Sequence, residues 1–384
     1  MDAFDFDTPI NRERTASLKW ERYRGRDIIP LWVADMDFKA PPPVINALQK
    51  RLDHGVFGYT VPPDSLVEVV LEMLKVKYAW EVEPTSLVWL PGVVSGLNLA
   101  CRSVGDIGDD VMTLTPVYPP FLAVPGLSGR KLSPVRLARD ERQYWQIDMD
   151  RLAHAVTRQT SLFLLCNPHN PTGRIFSRRD LTDIAMFCEQ NDMVICSDEI
   201  HCDLLLDQDK AHIPIATLSP EIARRTITLM APSKTYNIPG LSCSLAIIEN
   251  HDLRSRFKQC MKGFSPDVNL LGYVAAKAAY RDCSQWHTAL IDYLVGNRAL
   301  VEDMVRTTSG LEVNHVEATY LAWLDVRGLP VESSALFFED AGVGLSDGKD
   351  FGEPGYLRLN FGCPRSTLAR ALDRMATALE SMPL

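Results

Sequence analysis

A lysine, an aspartate and an asparagine each follow a short apolar run of this sequence, where the chain leaves a predicted strand. Lys234 lies in SKTYNIPG, Asp198 in SDEIH and Asn170 in NPHNPTG. Desolvation lowers the pKa of an amine at such a place and makes it nucleophilic toward carbonyl carbons. A carboxylate there can pair with a cationic ring nitrogen, and an amide can hydrogen-bond a ligand. These residue types predict a site for carbonyl chemistry.

Each motif also has a structural explanation when it is considered alone. Lys234 could be a surface lysine in a turn, Asp198 the N-cap of the next helix, and Asn170 part of a rigid X-Pro turn. A fourth motif, PGVVSG at 91–96, is either a tight turn or a helix N-terminus that binds phosphate. The sequence contains neither the dinucleotide nor the P-loop glycine pattern. The common placement of the four motifs at strand ends favours one ligand site.

The elements that must position these residues are short apolar runs that alternate with helix-like stretches. Six buried strands are predicted, at 87–90, 111–115, 161–166, 193–197, 226–230 and 244–248. Strands that alternate with helices favour a mainly parallel sheet covered on both faces. The predicted fold class is therefore α/β, with a large domain of this kind and a smaller α+β domain.

Three regions are predicted along the chain. Residues 1–45 are rich in proline and aromatic residues, and we expect them to pack on the small domain or on a partner subunit. Residues 46–280 form the large domain and residues 281–384 the small one. We expect one helix from 275 to about 286 to join them, with later strands at 320–326 and 355–360 and a last helix at 366–379.

Composition excludes several classes of protein. The 384 residues carry a net charge of −9, which argues against sequence-independent nucleic-acid binding. The start, MDAFDFDTP, has no basic or apolar signal region, and no apolar run approaches the ~20 residues that span a bilayer. We therefore expect a cytoplasmic protein. The nine cysteines show no C-x-x-C spacing, so we expect free thiols and no metal site.

Taken together, the motifs resemble the fold type I enzymes of pyridoxal 5′-phosphate (PLP), the aspartate aminotransferase superfamily. Asn170 precedes Asp198 by 28 positions (198 − 170), and Asp198 precedes Lys234 by 36 (234 − 198). Six stretches narrow the resemblance to the MalY/PatB family of cystathionine β-lyases, or C–S lyases. They are WVADMDF (32–38), HGVFGYT (54–60), SDEIHCDL (197–204), SKTYNIPGL (233–241), TYLAWLD (319–325) and RLNFGCPRS (358–366).

The resemblance implies PLP as the cofactor and a role for each motif residue. Lys234 would hold PLP covalently and act as the catalytic base. Asp198 would pair with the ring nitrogen, Asn170 would bond the ring oxygen, and Tyr118 would stack on the ring. His201 would also lie at the cofactor. A histidine occupies this position in the lyase family, where aminotransferases have a tyrosine. We therefore assign His201 no role in proton transfer.

The resemblance also implies how the phosphate is bound. Backbone N–H groups near Val93 and Val94 would bind it, with the hydroxyls of Ser233 and Ser242. Tyr59 would reach the phosphate of the partner subunit, so a homodimer is expected. Typical aminotransferases have arginine in place of Ser242, and the lyase family has a small hydroxyl residue there. A hydroxyl residue is common where this chain has Ala231, so one phosphate hydrogen bond is expected to be absent or supplied by water.

Substrate binding is assigned by the same resemblance. Arg358 would clamp the substrate α-carboxylate with its two-pronged guanidinium, a task for which lysine is a poor substitute. Asn170, Asp35 and Met36 would also contact the substrate, with Trp32 and Phe38 as further pocket candidates. The substrate is expected to be a small amino acid.

The implied reaction is the α,β-elimination of L-cystathionine or another cysteine S-conjugate to a thiol, pyruvate and ammonia. Two alternatives stay open. A class I/II aminotransferase would begin with removal of the same Cα proton, and the same scaffold could bind a transcription regulator. The lyase-type stretches around the motifs favour elimination.

Overall fold

The structure is a computed structural model that describes residues 4–141 and 143–382. Its strands are β1 (Ile29–Pro30), β2 (Leu87–Leu90), β3 (Asp110–Thr115), β4 (Lys131–Arg136), β5 (Ala138–Arg139), β6 (Trp145–Gln146), β7 (Thr160–Cys166), β8 (Val194–Asp198), β9 (Thr226–Met230), β10 (Ser244–Ile247), β11 (Glu312–Val313), β12 (Leu321–Asp325), β13 (Val343–Gly344), β14 (Ser346–Asp347) and β15 (Tyr356–Asn360).

The α-helices follow the alternation expected from the sequence. They are α1 (Leu18–Glu21), α2 (Pro42–His54), α3 (Asp64–Tyr78), α4 (Val93–Ser103), α5 (Pro119–Leu127), α6 (Met149–Ala155), α7 (Arg178–Gln190), α8 (Pro220–Arg224), α9 (His251–Met261), α10 (Leu270–Asp282), α11 (Ser284–Thr307), α12 (Ser334–Asp340) and α13 (Arg365–Glu380).

The largest sheet has seven strands in the order β2-β10-β9-β8-β7-β3-β4. The neighbours from β9 to β4 pair in parallel, and β10 pairs antiparallel with both β9 and β2. The predicted mainly parallel α/β sheet is confirmed, and all six predicted strands are present. The edge strand β4 was not predicted, because its sequence KLSPVR contains a proline and most of its residues are not buried.

Both faces of this sheet are covered, which explains why its inner strands are mainly apolar. In β7, Leu162 and Leu164 pack with residues of α4, α5 and α9. Their neighbours Phe163 and Leu165 pack with residues of α6 and α7 on the opposite face. Successive side chains of a strand point to opposite faces, so a strand between two helical layers needs apolar residues at every position.

The C-terminal part of the chain forms a second sheet, with the antiparallel order β11-β12-β15-β14. Residues of α11 and α13 pack against it. The single joining helix predicted from 275 to about 286 is wrong, because the structure has two helices there, α10 and α11. They are separated at Cys283, whose backbone leaves the helical conformation at φ −113° and ψ 16°.

The N-terminal residues reach the C-terminal region before the large sheet begins. β1 pairs in parallel with β13, and the backbone N–H of Asn360 donates to the carbonyl of Leu31. The chain then runs through residues 32–38, called the crossing segment below, and enters α2 at Pro42. The two predicted boundaries between the three regions stay predictions.

The described residues contain neither a membrane-spanning helix nor a cluster of metal-ligating side chains. In the described ranges no helix is both long and apolar enough to cross a bilayer. No group of three or more histidine, cysteine, aspartate or glutamate side chains in those ranges could hold a metal ion. All nine cysteines are free thiols, and eight of them are buried.

Candidate active site

A cavity of about 240 Å³ lies where the central strands of the large sheet end. Nine of the ten residues expected to bind the cofactor line it: Val93, Val94, Tyr118, Asn170, Asp198, His201, Ser233, Lys234 and Ser242. The tenth, Tyr59, does not line the cavity, and its side chain is fully exposed. The structure thus brings together residues from loops that lie far apart in the sequence.

Lys234 lies in the turn that follows β9, with its amine at the cavity. The amine donates to the backbone carbonyl oxygen of Ala34 at 2.6 Å. Enclosure by protein lowers the pKa of Lys234 to about 8, and the positive charge of Arg358 contributes. A much larger fraction of this amine is neutral near pH 7.5 than of an ordinary lysine, which suits a nucleophile or a base.

Asp198 is the last residue of β8, and its side chain is buried. One carboxylate oxygen accepts from the backbone N–H of Ile200 at 3.1 Å. Burial raises the pKa of Asp198 to about 7. A buried carboxylate with a raised pKa is stabilised when a cation lies beside it. The cavity therefore suits a ligand with a protonated ring nitrogen at this point.

Arg358 is buried in β15, with its guanidinium at the edge of the cavity. It donates to the side-chain oxygen of Asn170 at 3.0 Å and to the carbonyl oxygen of Trp32 at 2.8 Å. Its Nε is buried and has no protein partner. Burial lowers the pKa of Arg358 to about 10, so the group stays charged at neutral pH. A planar, positioned guanidinium suits a carboxylate ligand.

The phosphate end of the predicted site is formed where α4 begins. Its first residues, Val93 and Val94, line the cavity beside Ser233 and Ser242, as does Ala231, which brings no hydroxyl. A helix N-terminus presents free N–H groups and a positive dipole to an anion. Gly96 lets α4 approach the sheet, because a Cβ there would lie 2.7 Å from the side chain of Leu229.

His201 lines the same cavity and is almost wholly buried. Its Nδ1 has no hydrogen-bond partner in the protein. Burial lowers the pKa of His201 to about 3, and the positive charges of Lys234 and Arg358 contribute. The ring is therefore neutral, and its unpaired nitrogen can bond a polar group of a ligand.

Comparisons with known proteins agree with this geometry. A family model described as aminotransferase class I and II matches residues 26–375. The chain is 35% identical to the cystathionine beta-lyase PatB of Bacillus subtilis (strain 168), over 98% of this chain and 100% of PatB.

This chain belongs to the class I and II aminotransferase family.

Two solved structures of relatives superpose on the whole chain. OvoB is 46% identical, with a TM-score of 0.96, over 99% of this chain and 100% of that one. Cystalysin from Treponema denticola, a structure that contains PLP, is 32% identical, with a TM-score of 0.95, over 99% of this chain and 100% of that one. The resemblance to the lyase branch, first inferred from six short stretches, is confirmed over the full length.

The side chains of this family member fit PLP. Asp198 is a buried carboxylate suited to a ring nitrogen, and the unpaired Nδ1 of His201 is a buried partner for a ring substituent. Lys234 offers an amine of lowered pKa, and the start of α4 with its nearby serines offers donors for a phosphate. Each part of the cofactor thus has a chemical complement.

A second cavity, of about 520 Å³, opens outward from the first. The two share Ala34, Tyr118 and Lys234, and Arg358 and Trp32 line the outer one. The inner cavity has the complements of the cofactor, so the outer one has room for a substrate. We name it the substrate cavity.

Asp35 and Met36, expected to contact the substrate, line neither cavity. A carboxylate oxygen of Asp35 accepts from Arg12 at 2.8 Å, and Met36 is buried in the C-terminal core. The structure therefore does not bring these two side chains to the substrate cavity. The backbone of the crossing segment faces the site instead, through the carbonyls of Trp32 and Ala34.

Sequence reasoning missed three residues that hold the crossing segment. The side chain of Asn237 bonds the backbone N–H and carbonyl of Met36 at 2.9 Å each. Tyr320 and Asn360 donate to other carbonyls of the segment. All three lie in the stretches that carried the family resemblance, and that was the signal available. Their partners are backbone atoms, which no residue type reveals.

Proposed function

We propose that this chain is a PLP-dependent carbon–sulfur β-lyase that converts L-cystathionine or another cysteine S-conjugate to a thiol, pyruvate and ammonia. The observation that carries the proposal is the substrate cavity, which extends beyond Lys234 and Arg358. It leaves room for a sulfur substituent beyond the amino-acid part of the substrate. The relative PatB is named as a cystathionine beta-lyase, which supports the same reaction.

Arg358 and Lys234 have separate roles in the proposed elimination. Arg358 binds the α-carboxylate and fixes the amino-acid end, and the amine of Lys234 takes the proton from Cα. Bound PLP supplies an electron sink for the electron pair that this step leaves at Cα. When the pair moves to form the Cα–Cβ double bond, the Cβ–S bond breaks, and the thiolate leaves into the substrate cavity and takes up a proton. The three-carbon enamine that remains is released and hydrolysed by water to pyruvate and ammonia.

The decisive test is product analysis with purified, PLP-loaded protein and L-cystathionine. The proposal expects pyruvate and free thiol in equal amounts without any added amino-group acceptor. Lys234→Ala is the matched control and should release neither product. If products form only when a keto acid is added, and appear as exchanged amino and keto acids, the chain is an aminotransferase.

The aminotransferase alternative keeps one specific support, since the family model that matches the chain is named for that activity. Removal of the Cα proton is common to both reactions, and the two separate only afterwards. The comparison of pyruvate release with keto-acid exchange in one preparation therefore distinguishes them directly.

A homodimer is part of the proposal, with Tyr59 contacting the phosphate in the partner subunit. Support comes from a run of apolar side chains that are more than half exposed: Val56, Phe57, Tyr59 and Val61. Exposed apolar patches of this kind mark interaction surfaces. Sedimentation should give a dimer, and Tyr59→Phe should weaken PLP binding while the protein stays dimeric. A monomer that keeps PLP and full activity would contradict this assignment.

The cytoplasm is the proposed location. Nine unpaired cysteines are typical of a reducing compartment, since an oxidising one would select paired or fewer thiols. Fractionation of the source cells with an antibody to this chain tests the assignment, and recovery outside the cytoplasm would refute it.

A further inference from the structure

One backbone carbonyl in the active site accepts two hydrogen bonds. The oxygen of Ala34 accepts from the amine of Lys234 at 2.6 Å and from the hydroxyl of Tyr320 at 2.9 Å. Tyr320 is fully buried, and its hydroxyl makes its hydrogen bond to this carbonyl. The phenol and the catalytic amine thus meet at a single acceptor.

The direction of this carbonyl is fixed from both sides. The side-chain amide of Asn360 donates to the carbonyl of Val33 and, at 2.7 Å, to the carbonyl of Asp35. Asn360 thus holds the carbonyls on either side of Ala34, while the carbonyl of Ala34 itself accepts from Lys234 and Tyr320.

A fixed acceptor matters because a lysine side chain has several rotatable bonds. A neutral amine that donates one N–H to the carbonyl of Ala34 directs its lone pair away from that bond. The position of the carbonyl thereby limits where the lone pair can point. Proton transfer is sensitive to such placement, and a misplacement of about 1 Å costs roughly 100-fold in rate.

We propose that Tyr320 is a positioning residue for removal of the substrate Cα proton, acting through the carbonyl of Ala34 on the amine of Lys234. The inference rests only on the proton-removal step of the proposed function, which elimination and transamination share. A purely structural role would require only the ring, which packs edge-on to His201 with the centroids 6.3 Å apart. The hydroxyl adds one hydrogen bond, and that bond goes to the acceptor of the catalytic amine.

The test uses PLP-loaded Tyr320→Phe and L-alanine in D2O. L-Alanine has a Cα proton and no leaving group, so exchange of that proton, followed by NMR, reports the step alone. We expect exchange to slow about 10- to 100-fold, with a larger primary isotope effect when Cα-deuterated alanine is exchanged in H2O. The Kd for L-alanine and the visible absorbance of the bound cofactor should stay unchanged.

Two further variants keep the result decisive. Tyr273→Phe removes the hydroxyl of another buried tyrosine, which lines neither cavity, and should leave exchange unchanged. Asn360→Asp keeps the shape but removes the donors to the flanking carbonyls, and should slow exchange like Tyr320→Phe. Both proteins must keep the melting temperature within a few degrees of wild type, so that lost exchange is separated from lost folding.

Several outcomes overturn the inference. Wild-type exchange in Tyr320→Phe would do so, as would slowing that Tyr273→Phe reproduces. Loss of exchange in all variants together with the cofactor absorbance would mean that Tyr320 merely supports folding. If the wild-type protein does not exchange the proton, the inference fails as well. If exchange behaves as expected but cystathionine yields no pyruvate, only the proposed function fails.

Discussion

Asp198→Asn should stabilise the protein when PLP has been removed, although it should abolish activity. Burial raises the pKa of Asp198 to about 7 from its ordinary 3.8. Between these two pH values the folded state holds a proton that the unfolded state has released. Stability contributed by this group therefore falls as the pH rises from about 4 to 7, and the full penalty is present above pH 7.

The size of the penalty follows from the same two pKa values. The difference between about 7 and 3.8 corresponds to about 4 kcal/mol in the free energy of unfolding. Asparagine has the same shape and carries no charge, so it removes the penalty of burying a charge. Its polar amide must still be desolvated, which reduces the gain. We expect Asp198→Asn to raise the free energy of unfolding at pH 8 by about 2–4 kcal/mol, and to have little effect at pH 4.

The assay is urea denaturation of the PLP-free wild type and variant at several pH values from 4 to 8. Asp203→Asn is the matched control, because the side chain of Asp203 is only 9% exposed but its pKa is lowered by its ion-pair partner Lys77, which lies 2.8 Å away. That variant should lose stability at pH 8, the opposite sign. The reasoning is refuted if Asp198→Asn is destabilising at pH 8, or if its effect does not change with pH.

Three further predictions concern activity and packing. Arg358→Lys keeps the charge but loses the two-pronged geometry, and should lower kcat/KM for pyruvate release about 10- to 100-fold, with a much smaller effect on an analogue that lacks the α-carboxylate. The rate of Cα-proton exchange should rise with pH and level off above about pH 8. The reason is that the amine of Lys234, whose pKa is about 8, must be deprotonated to act as the base. A rate that does not change from pH 6 to 9 would contradict this. Gly173→Ala should lower the free energy of unfolding by about 1–3 kcal/mol in urea denaturation, because Gly173 has a φ of +69° and a Cβ would lie 2.8 Å from Val316. Gly126→Ala, where the space is open, is the control.

Apolar patterning was enough to predict the large sheet. Its six predicted strands are short runs buried on both faces, and burial on both faces favours apolar residues at most positions. The edge strand β4 lacks that pattern, since Lys131 and Arg136 at its ends are exposed. The break between α10 and α11 has only a weak sequence signal. Cys283 is flanked by Asp282 and Ser284, residue types that favour helix caps, but neither proline nor glycine marks the junction.

The chemical groups of the site were also predictable, because chemistry requires particular side chains. A buried lysine, carboxylate, amide and arginine in a fixed order are informative even without coordinates. The contacts among them were not predictable. Asp35 was expected to contact the substrate. In the structure its carboxylate forms ion pairs with Arg12 and Lys19. Sequence patterns identify which residues reach a site, whereas packing decides which of their atoms do.

The crossing segment shows why the remaining features of the site needed a structure. It is tied to the turn after β9 through Asn237, three residues after Lys234, and to the C-terminal sheet through Asn360, two residues after Arg358. Its carbonyls contact the guanidinium at Trp32 and the amine at Ala34. One short piece of backbone contacts both the guanidinium of Arg358 and the amine of Lys234, the groups that we propose to bind the α-carboxylate and to take the Cα proton. A shift of that backbone moves both groups, so variants that loosen it should impair substrate binding and proton transfer together. Tyr320→Phe loses only the hydrogen bond to Ala34 and should therefore impair proton transfer alone.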